Sequence, residues 1–246
     1  MKLIRKIAAA VLLSCLFAAP TSRANVLVTG TRVVFPAQPG EVTVRLTNEN
    51  TRPALVEAWI DRGDPTSTPD KADTPFLITP PLFRMEPHQD QSLRILYTHE
   101  PLPVDRESLF WLNVLEVPPK PDKTASTSGN YLQFAIRSRL KLFFRPAGLG
   151  DPAKAPAQLV FKVVAEGNGY ALAVHNPTPF YITLAKAGLG TNGQAGTVDA
   201  GMVAPYSNLH LPLHGISQVP AVGAAVNFEV VNDYGALAPF AATLGS

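Results

Sequence analysis

Apolar and polar side chains alternate in many short stretches of this chain, and turn-forming residues separate the stretches. The longest stretch spans 131–146 and begins with a row of three apolar residues, Leu132, Phe134 and Ile136. A basic cluster follows, Arg137, Arg139 and Lys141. A period of two predicts a β-strand, and a long apolar strand invites another chain to pair with its edge. We expect this strand either to face the protein's own core or to serve in pairing.

Similar patterns recur along the whole chain. In the first half they predict nine strands, at 26–28, 31–35, 41–47, 54–61, 76–79, 82–85, 91–97, 109–116 and 131–144. The second half has shorter stretches with more glycine, at 158–167, 170–178, 180–190, 209–213, 225–233 and 238–244. The 24 prolines and the near absence of a 3.6-residue apolar period disfavour helices. The chain is therefore predicted to be all-β, with two β-sandwich domains.

The first domain is placed at 25–147 and the second at 148–246, because the segment AGLGDPAKAPA after the long strand is typical of a linker. Residues 1–24 predict a cleavable secretory signal. Their apolar run from Ile7 to Ala19 is too short for a membrane-spanning helix, which needs about 20 residues. An alternative makes Cys15 a lipid-modified cysteine, but Leu13 is bulky where such sites usually have a small residue.

Charge and cysteine content narrow the function classes. The chain has 21 basic and 19 acidic residues; removal of residues 1–24 takes away four basic ones, which leaves 17 against 19 and a net charge of −2. A net-negative chain without basic runs lacks the electrostatic footprint of a nucleic-acid-binding protein. Since Cys15 is the only cysteine, a chain without the signal has neither a disulfide nor a cysteine metal site.

Motifs for enzymatic chemistry are missing from the sequence. The closest pair of histidines, His210 and His214, flanks Pro212, which excludes the helix that paired ligands at this spacing require. No nucleophile elbow, phosphate loop or dinucleotide fingerprint is found, so we expect no metal, no cofactor and no enzymatic activity. Two pairs of acids in a turn-rich region are predicted to be solvated loop residues, and they are Asp61 with Asp64 and Asp70 with Asp73.

The stretch LPVDRESLFWLNVLEVPP at 102–119 resembles the signature of the periplasmic pilus-assembly chaperones, the PapD-like family. The resemblance continues in TRVVF at 31–35, EAWID at 57–61, TPPLFRMEP at 79–87, KLFFRP at 141–146, NPTPFYITL at 176–184 and NDYG at 232–235. It implies two immunoglobulin-like domains in a boomerang arrangement. It also implies an ATP-independent periplasmic chaperone that captures fimbrial subunits by donor-strand complementation and delivers them to an outer-membrane usher.

Roles for particular residues follow from the same resemblance. Arg32 and Lys141 match the pair that anchors the subunit's C-terminal carboxylate. The strand lent to the subunit's groove contains Leu132, Phe134 and Ile136. An interdomain charged network is formed by Glu107, Arg145 and Asp233. Because Lys141 has the opposite parity to the apolar row, we expect a bulge or a strong twist in this strand.

The expected partners are fimbrial subunits and an usher, without nucleic acid and without membrane insertion. The exposed edge also allows a self-capping homodimer. The alternative function is that of a secreted structural β-sandwich protein, either an adhesin or a pilus subunit. A subunit would carry an N-terminal donor extension and one incomplete domain, whereas this sequence predicts two domains and carries the whole signature.

Overall fold

A computed structural model describes residues 26–120, 133–190, 195–198, 200–216 and 218–245. Within these ranges the chain forms 17 strands and three single-turn 3₁₀ helices, so the all-β prediction is confirmed. The predicted signal at 1–24, with Cys15, lies outside the described residues. No helix in the described part of the chain has the length and hydropathy of a membrane span.

Two sheets packed face to face form the first domain. Its strands are, in chain order, β1 Val26–Val28, β2 Arg32–Pro36, β3 Glu41–Asn48, β4 Ala54–Asp61, β5 Phe76–Thr79, β6 Leu82–Met85, β7 Asp90–Tyr97, β8 Ser108–Val117 and β9 Ile136–Arg145. One sheet has the order β1-β3-β7-β5 and the other β2-β9-β8-β4-β6. Alternate side chains from both sheets meet in one core, which includes the fully buried Phe35, Leu93, Leu112 and Leu142.

The long apolar strand expected to contain the row and the basic cluster begins later than the sequence predicts. We expected it over 131–144, but β9 begins at Ile136, residues 133–135 are irregular, and 131–132 lie outside the described residues. The reason is the end of its neighbour: β8 pairs with β9 only as far as Glu116 opposite Ile136. Pro118 and Pro119 follow β8 and cannot donate to a ladder, so residues before Ile136 have no strand beside them.

The second domain has its own core and a sheet that curls until its ends meet. Its strands are β10 Val160–Glu166, β11 Gly169–Asn176, β12 Ile182–Leu189, β13 Ala195–Val198, β14 Gly201–Val203, β15 Ser207–His214, β16 Ala225–Val231 and β17 Leu237–Thr243. They follow the order β10-β11-β15-β13-β12-β16-β17, with β14 beside β12. A bridge from Phe161 to Leu244 joins the two ends. The sequence pattern missed β13 and β14, which are short and contain glycine.

Candidate functional site

The first half of β9, residues 136–140, has a described strand on one side only, so its other edge is free. The strand pairs with β8 from Ile136 to Phe144, whereas β2 covers its other edge only from Lys141 to Arg145. Among the described residues no strand pairs with that edge between 136 and 140. An unpaired strand edge is a template for pairing with another chain. Because β2 begins at Arg32, a strand added along this edge would meet the start of β2 where the free edge ends.

Arg32 and Lys141 stand side by side at that meeting point. They are direct partners in the parallel pairing of β2 with β9, and both lie at the boundary with the second domain. Arg32 Nη1 donates to the Val231 carbonyl at 2.9 Å, and Lys141 Nζ lies 3.4 Å from Thr183 Oγ1. Within the described ranges neither cation forms an ion pair with a carboxylate, and Arg32 Nε is buried without a hydrogen-bond partner. The pair is therefore set up to receive an anion.

The pKa of each cation is lowered in the folded protein. Burial lowers the pKa of Lys141, and the charge of Arg32 lowers it further. Burial also lowers the pKa of Arg32, although the carboxylates of Asp233 and Glu107 oppose this shift. A neighbouring negative charge favours the protonated form of a lysine. A carboxylate placed between the two side chains would thus relieve a repulsion that folding has created.

The apolar row reaches beyond the core. Phe134 is 66% exposed and Ile136 is 48% exposed, while Leu132 lies outside the described residues. Ile136 has the parity of the buried Leu140 and Leu142, so it continues the core face past the end of the sandwich. The described part of the row therefore exposes apolar surface to solvent instead of packing fully in this protein's own core.

The expected bulge in β9 is not observed. The register between β8 and β9 runs without a shift from Ser108 opposite Phe144 to Glu116 opposite Ile136. Lys141 and Ile136 therefore point to opposite faces of the sheet, as a regular period of two requires. No bulge is needed, because a strand added at the edge lies in the plane of the sheet. Such a strand can meet Lys141 from one face and Ile136 from the other.

A charged network joins the two domains. Arg145 Nε donates to Glu107 Oε1 at 2.7 Å, and its two terminal nitrogens donate to the Asp233 carboxylate at 2.7 and 2.9 Å. Glu107 also accepts from the Tyr181 backbone N–H at 2.8 Å. Burial raises the pKa of Glu107 above its usual range, against the opposing effects of Arg145 and Tyr181. The bidentate contact with Asp233 restricts the orientation of one domain relative to the other.

A tight turn forms a second contact between the domains. Gly235 has a φ of +83°, and a methyl group there would collide with the Thr31 hydroxyl just before β2. The Asn232 side chain fixes the turn by accepting from the N–H groups of Tyr234 and Ala236, each at 3.0 Å. The turn therefore holds Asp233 toward Arg145 while its glycine lets the domains approach closely.

Gly235→Ala is expected to destabilise the protein more than Gly167→Ala. Both glycines have positive φ, but Gly167 lies in open space, so alanine there costs only the backbone strain of about 1–2 kcal/mol. At Gly235 the collision adds about 1–3 kcal/mol. Urea unfolding measures both variants, and Thr31→Ala combined with Gly235→Ala should remove the extra loss. Equal losses at the two glycines would contradict the close contact.

One sequence-based expectation about acidic residues is wrong. Asp61 ends β4, is only 3% exposed, and is not a solvated loop residue. Burial raises its pKa, but hydrogen bonds from Asn113, Ser67, the Gly63 N–H and Arg139 outweigh burial and lower the pKa below its usual value. The only sequence signal was that Asp61 directly continues an apolar strand. Its partner Asn113 is 52 residues away, which a local pattern does not reveal.

Two of the histidines form ordinary polar contacts. His210 Nδ1 lies 3.5 Å from Glu166 Oε2, and His175 Nδ1 lies 2.9 Å from Asn208 Oδ1. Among the residues that the structure describes, no three histidine, cysteine or acidic side chains are arranged to hold a metal ion.

Comparison with known proteins gives consistent matches over both domains. Residues 25–150 match the model described as "Pili and flagellar-assembly chaperone, PapD N-terminal domain", and residues 154–241 match "Pili assembly chaperone PapD, C-terminal domain". The chain is 45% identical over 231 residues to the chaperone protein FimB/FhaD of Bordetella pertussis, which covers 92% of this chain and 91% of that protein.

Solved structures with the same fold include two chaperones. The crystal structure of the Pseudomonas aeruginosa CupB2 chaperone has a TM-score of 0.74 at 41% identity, with 89% of this chain and 100% of that chain covered. The SafB chaperone of Salmonella enterica, solved in complex with the SafA pilin, has a TM-score of 0.74 at 30% identity, with 91% and 98% covered.

Proposed function

The chain belongs to the PapD-like pili-assembly chaperone family, and from that membership we propose that it is a non-enzymatic, ATP-independent periplasmic chaperone of fimbrial subunits. It captures a subunit by lending β9 to the subunit's open groove, and it delivers the subunit to an outer-membrane usher. The observation that carries this proposal is the pair Arg32 and Lys141, which lies where the free edge of β9 ends. An anion site at the end of an open strand edge suits a strand that finishes in a carboxylate.

Capture combines three kinds of interaction along β9. Backbone hydrogen bonds to the edge at 136–140 contribute about 0.5–1.5 kcal/mol each. Phe134 and Ile136, with Leu132 before them, enter the apolar groove, and each buried side chain adds about 1.5–3 kcal/mol. The terminal carboxylate receives charge-assisted hydrogen bonds from Arg32 and Lys141. The carboxylate sets where the subunit strand ends, and the apolar row covers the groove that would otherwise aggregate.

Co-expression tests the proposal. The chain and a fimbrial subunit encoded beside it are produced together in the periplasm, and the chaperone is isolated by an affinity tag. A soluble complex of one chaperone with one subunit is the expected product. Failure to retain any such subunit, with the chaperone folded and abundant, would overturn the proposal and favour a structural role such as that of an adhesin.

We propose that the usher docks on an apolar patch at the far side of the same sheet. The patch contains Leu55 on β4 and Leu82 on β6, which are 45% and 54% exposed. Beside Leu55 runs a groove lined largely by apolar residues, Pro53, Ala54, Leu55, Val117, Pro118 and Pro119. In the sheet order, β8 and β4 separate β6 from β9. Leu82 on β6 therefore stays accessible when a subunit occupies the free edge of β9, as delivery of a loaded chaperone requires.

Leu55→Asp and Leu82→Asp are expected to impair delivery without impairing capture. Loss of one apolar contact of this size weakens usher binding by about tenfold or more, while the subunit complex still forms. The measurement is binding of the isolated chaperone–subunit complex to the usher's periplasmic part. Leu77→Asp is the matched control, because Leu77 is 62% exposed on β5 of the other sheet. Reduced capture by the Leu55 or Leu82 variant, or wild-type usher binding, would contradict this placement.

The free edge also gives the unloaded chaperone a way to associate with itself. Two copies that pair along residues 136–140 would cover each other's edge and apolar row. We propose that this homodimer is reversible and that subunits compete with it. Sedimentation of the free protein over a range of concentrations should then show a dimer that disappears when a subunit is added.

A further inference from the structure

The two arginines on the unpaired half of β9 bind the end of β4 and the loop that follows it. Arg137 donates to the Pro65 carbonyl at 2.9 Å and to the Ser67 hydroxyl at 3.0 Å. Arg139 donates to both carboxylate oxygens of Asp61, at 2.9 and 3.0 Å. These contacts span 70 to 78 residues of sequence. They tie β9 to a part of the chain that lies beyond its neighbour β8.

Asp61 and Asn113 form the centre of this arrangement. Asn113 Oδ1 accepts from both arginines, at 2.7 Å from Arg137 Nη2 and 3.0 Å from Arg139 Nε. Its Nδ2 donates to Asp61 at 2.7 Å, and the Ser67 hydroxyl donates to the same carboxylate at 2.8 Å. We call these five residues the outer-face network. Its three acceptors, Asp61, Ser67 and Asn113, are buried, so the positions of both guanidinium groups are closely fixed.

Two indole rings complete the fixation. The Arg137 guanidinium carbon lies 4.7 Å from the centre of the Trp59 ring, and that of Arg139 lies 4.9 Å from the Trp111 ring. Cation–π contacts at these distances are attractive. The Trp59 indole also donates to Ser67 at 3.1 Å. Each guanidinium group is thus held between an indole ring and the other members of the outer-face network, on the face of the sheet opposite to Ile136.

We propose that the outer-face network keeps residues 136–140 a preformed strand although one of its edges is unpaired, so that Asp61 is a positioning residue for subunit capture. A strand with a neighbour on one side only tends to fray. Frayed residues would have to be ordered when the subunit binds, which weakens binding. The side-chain contacts of Arg137 and Arg139 replace part of the missing ladder without covering the edge. This inference rests on the proposed function.

Amide hydrogen exchange of Asp61→Asn tests the inference in the free chaperone. The variant keeps the size of the side chain but removes the charge that Arg139 binds. Exchange at 136–140 should become about tenfold faster or more, while 141–145, which β2 covers, and the second domain should change less than about twofold. Affinity for a subunit encoded beside the chaperone should fall about tenfold. Glu229→Gln is the control, because it removes the 2.9 Å ion pair with Lys186 in the second domain.

Two further variants keep the outcome interpretable. Arg137→Lys retains a charge near Trp59 but cannot reach Pro65, Ser67 and Asn113 together, so it should accelerate the same amides even if Asp61→Asn fails to fold. Lys141→Ala should stop capture and leave exchange at 136–140 at the wild-type rate, which separates the two proposals. Unchanged exchange at 136–140, or equal acceleration throughout the first domain, would overturn the positioning role.

Discussion

Lys141→Ala is expected to abolish capture of fimbrial subunits while the chaperone stays folded, and Arg32→Ala is expected to do the same. Each substitution removes charge-assisted hydrogen bonds to the terminal carboxylate, which are worth about 1.5–3 kcal/mol apiece. It also removes a charge that, in the proposed complex, sets where the subunit strand ends. Co-expression and affinity isolation measure the loss. Lys162→Ala serves as the control, since Lys162 is exposed on β10, in a different sheet from β9.

The same residue should reveal itself in the pH dependence of stability. Since the pKa of Lys141 is lowered in the folded state, the charged lysine opposes folding below that pKa. The opposition disappears as pH rises from the lowered pKa toward the unfolded value. The free energy of unfolding of the wild type should therefore gain relative to Lys141→Ala over this alkaline window. At pH values below the lowered pKa, loss of this charge should not reduce the free energy of unfolding of Lys141→Ala relative to the wild type.

Subunit binding should show the opposite trend with pH. A bound carboxylate favours the protonated lysine, so the chaperone must take up a proton when it binds above the lowered pKa. Affinity is expected to fall as pH rises through that pKa, and a calorimetric titration in two buffers would detect the proton uptake. Full capture by Lys141→Ala, or capture that is independent of pH in the same window, would refute the anchor.

Ile136→Asp is the second substitution with a large expected effect. The side chain is 48% exposed and lies where the core face extends past the sandwich, so the aspartate stays in contact with water in the free chaperone. The substitution loses the buried half of the isoleucine and places a carboxylate opposite Glu116 on β8, so we expect the free energy of unfolding to fall by about 1–2 kcal/mol while the chaperone stays folded. In the complex the carboxylate would enter an apolar groove, and affinity should fall by roughly 10- to 150-fold from the lost burial alone.

Leu237→Asp provides the comparison for that variant. Leu237 is 58% exposed on β17 of the second domain, so it carries the same change of chemistry in a different sheet from β9. Capture should be normal for Leu237→Asp and impaired for Ile136→Asp. Unfolding of the Ile136 variant in the absence of any subunit would favour the view that the apolar row serves this protein's own core.

Local patterns predicted most strands of the first domain because each has a period of two between turn residues. The bounds of β4, β5 and β6 are those expected from the sequence. The start of β9 was not predictable in this way, because it depends on where β8 ends. A strand is defined by its neighbour as much as by its own residues, and the alternation before Ile136 continues where the neighbour does not.

The candidate site shows a similar division. The parallel pairing of β2 with β9 brings Arg32 beside Lys141, and the sequence suggested this pair only through the family resemblance. Asp61 was misinterpreted because four of the groups that stabilise its charge come from two strands and a turn. A turn-rich neighbourhood is usually solvated. Whether a particular carboxylate is buried depends on distant partners, and these are known only once the fold is.

The free edge of β9 ends abruptly at Arg32, and in the proposed complex this end limits the length of the subunit strand. In that complex the anchored terminal carboxylate sets the position of every other residue in the subunit strand, and successive side chains point to opposite faces. A subunit strand with one additional terminal residue would present the wrong face to the apolar row at every position. A subunit strand with two additional residues would present the correct face again, but it would be shifted along β9 by about 6.6–6.8 Å. Under the proposed anchoring, the number of residues after the groove is part of what the chaperone recognises, independently of their identity.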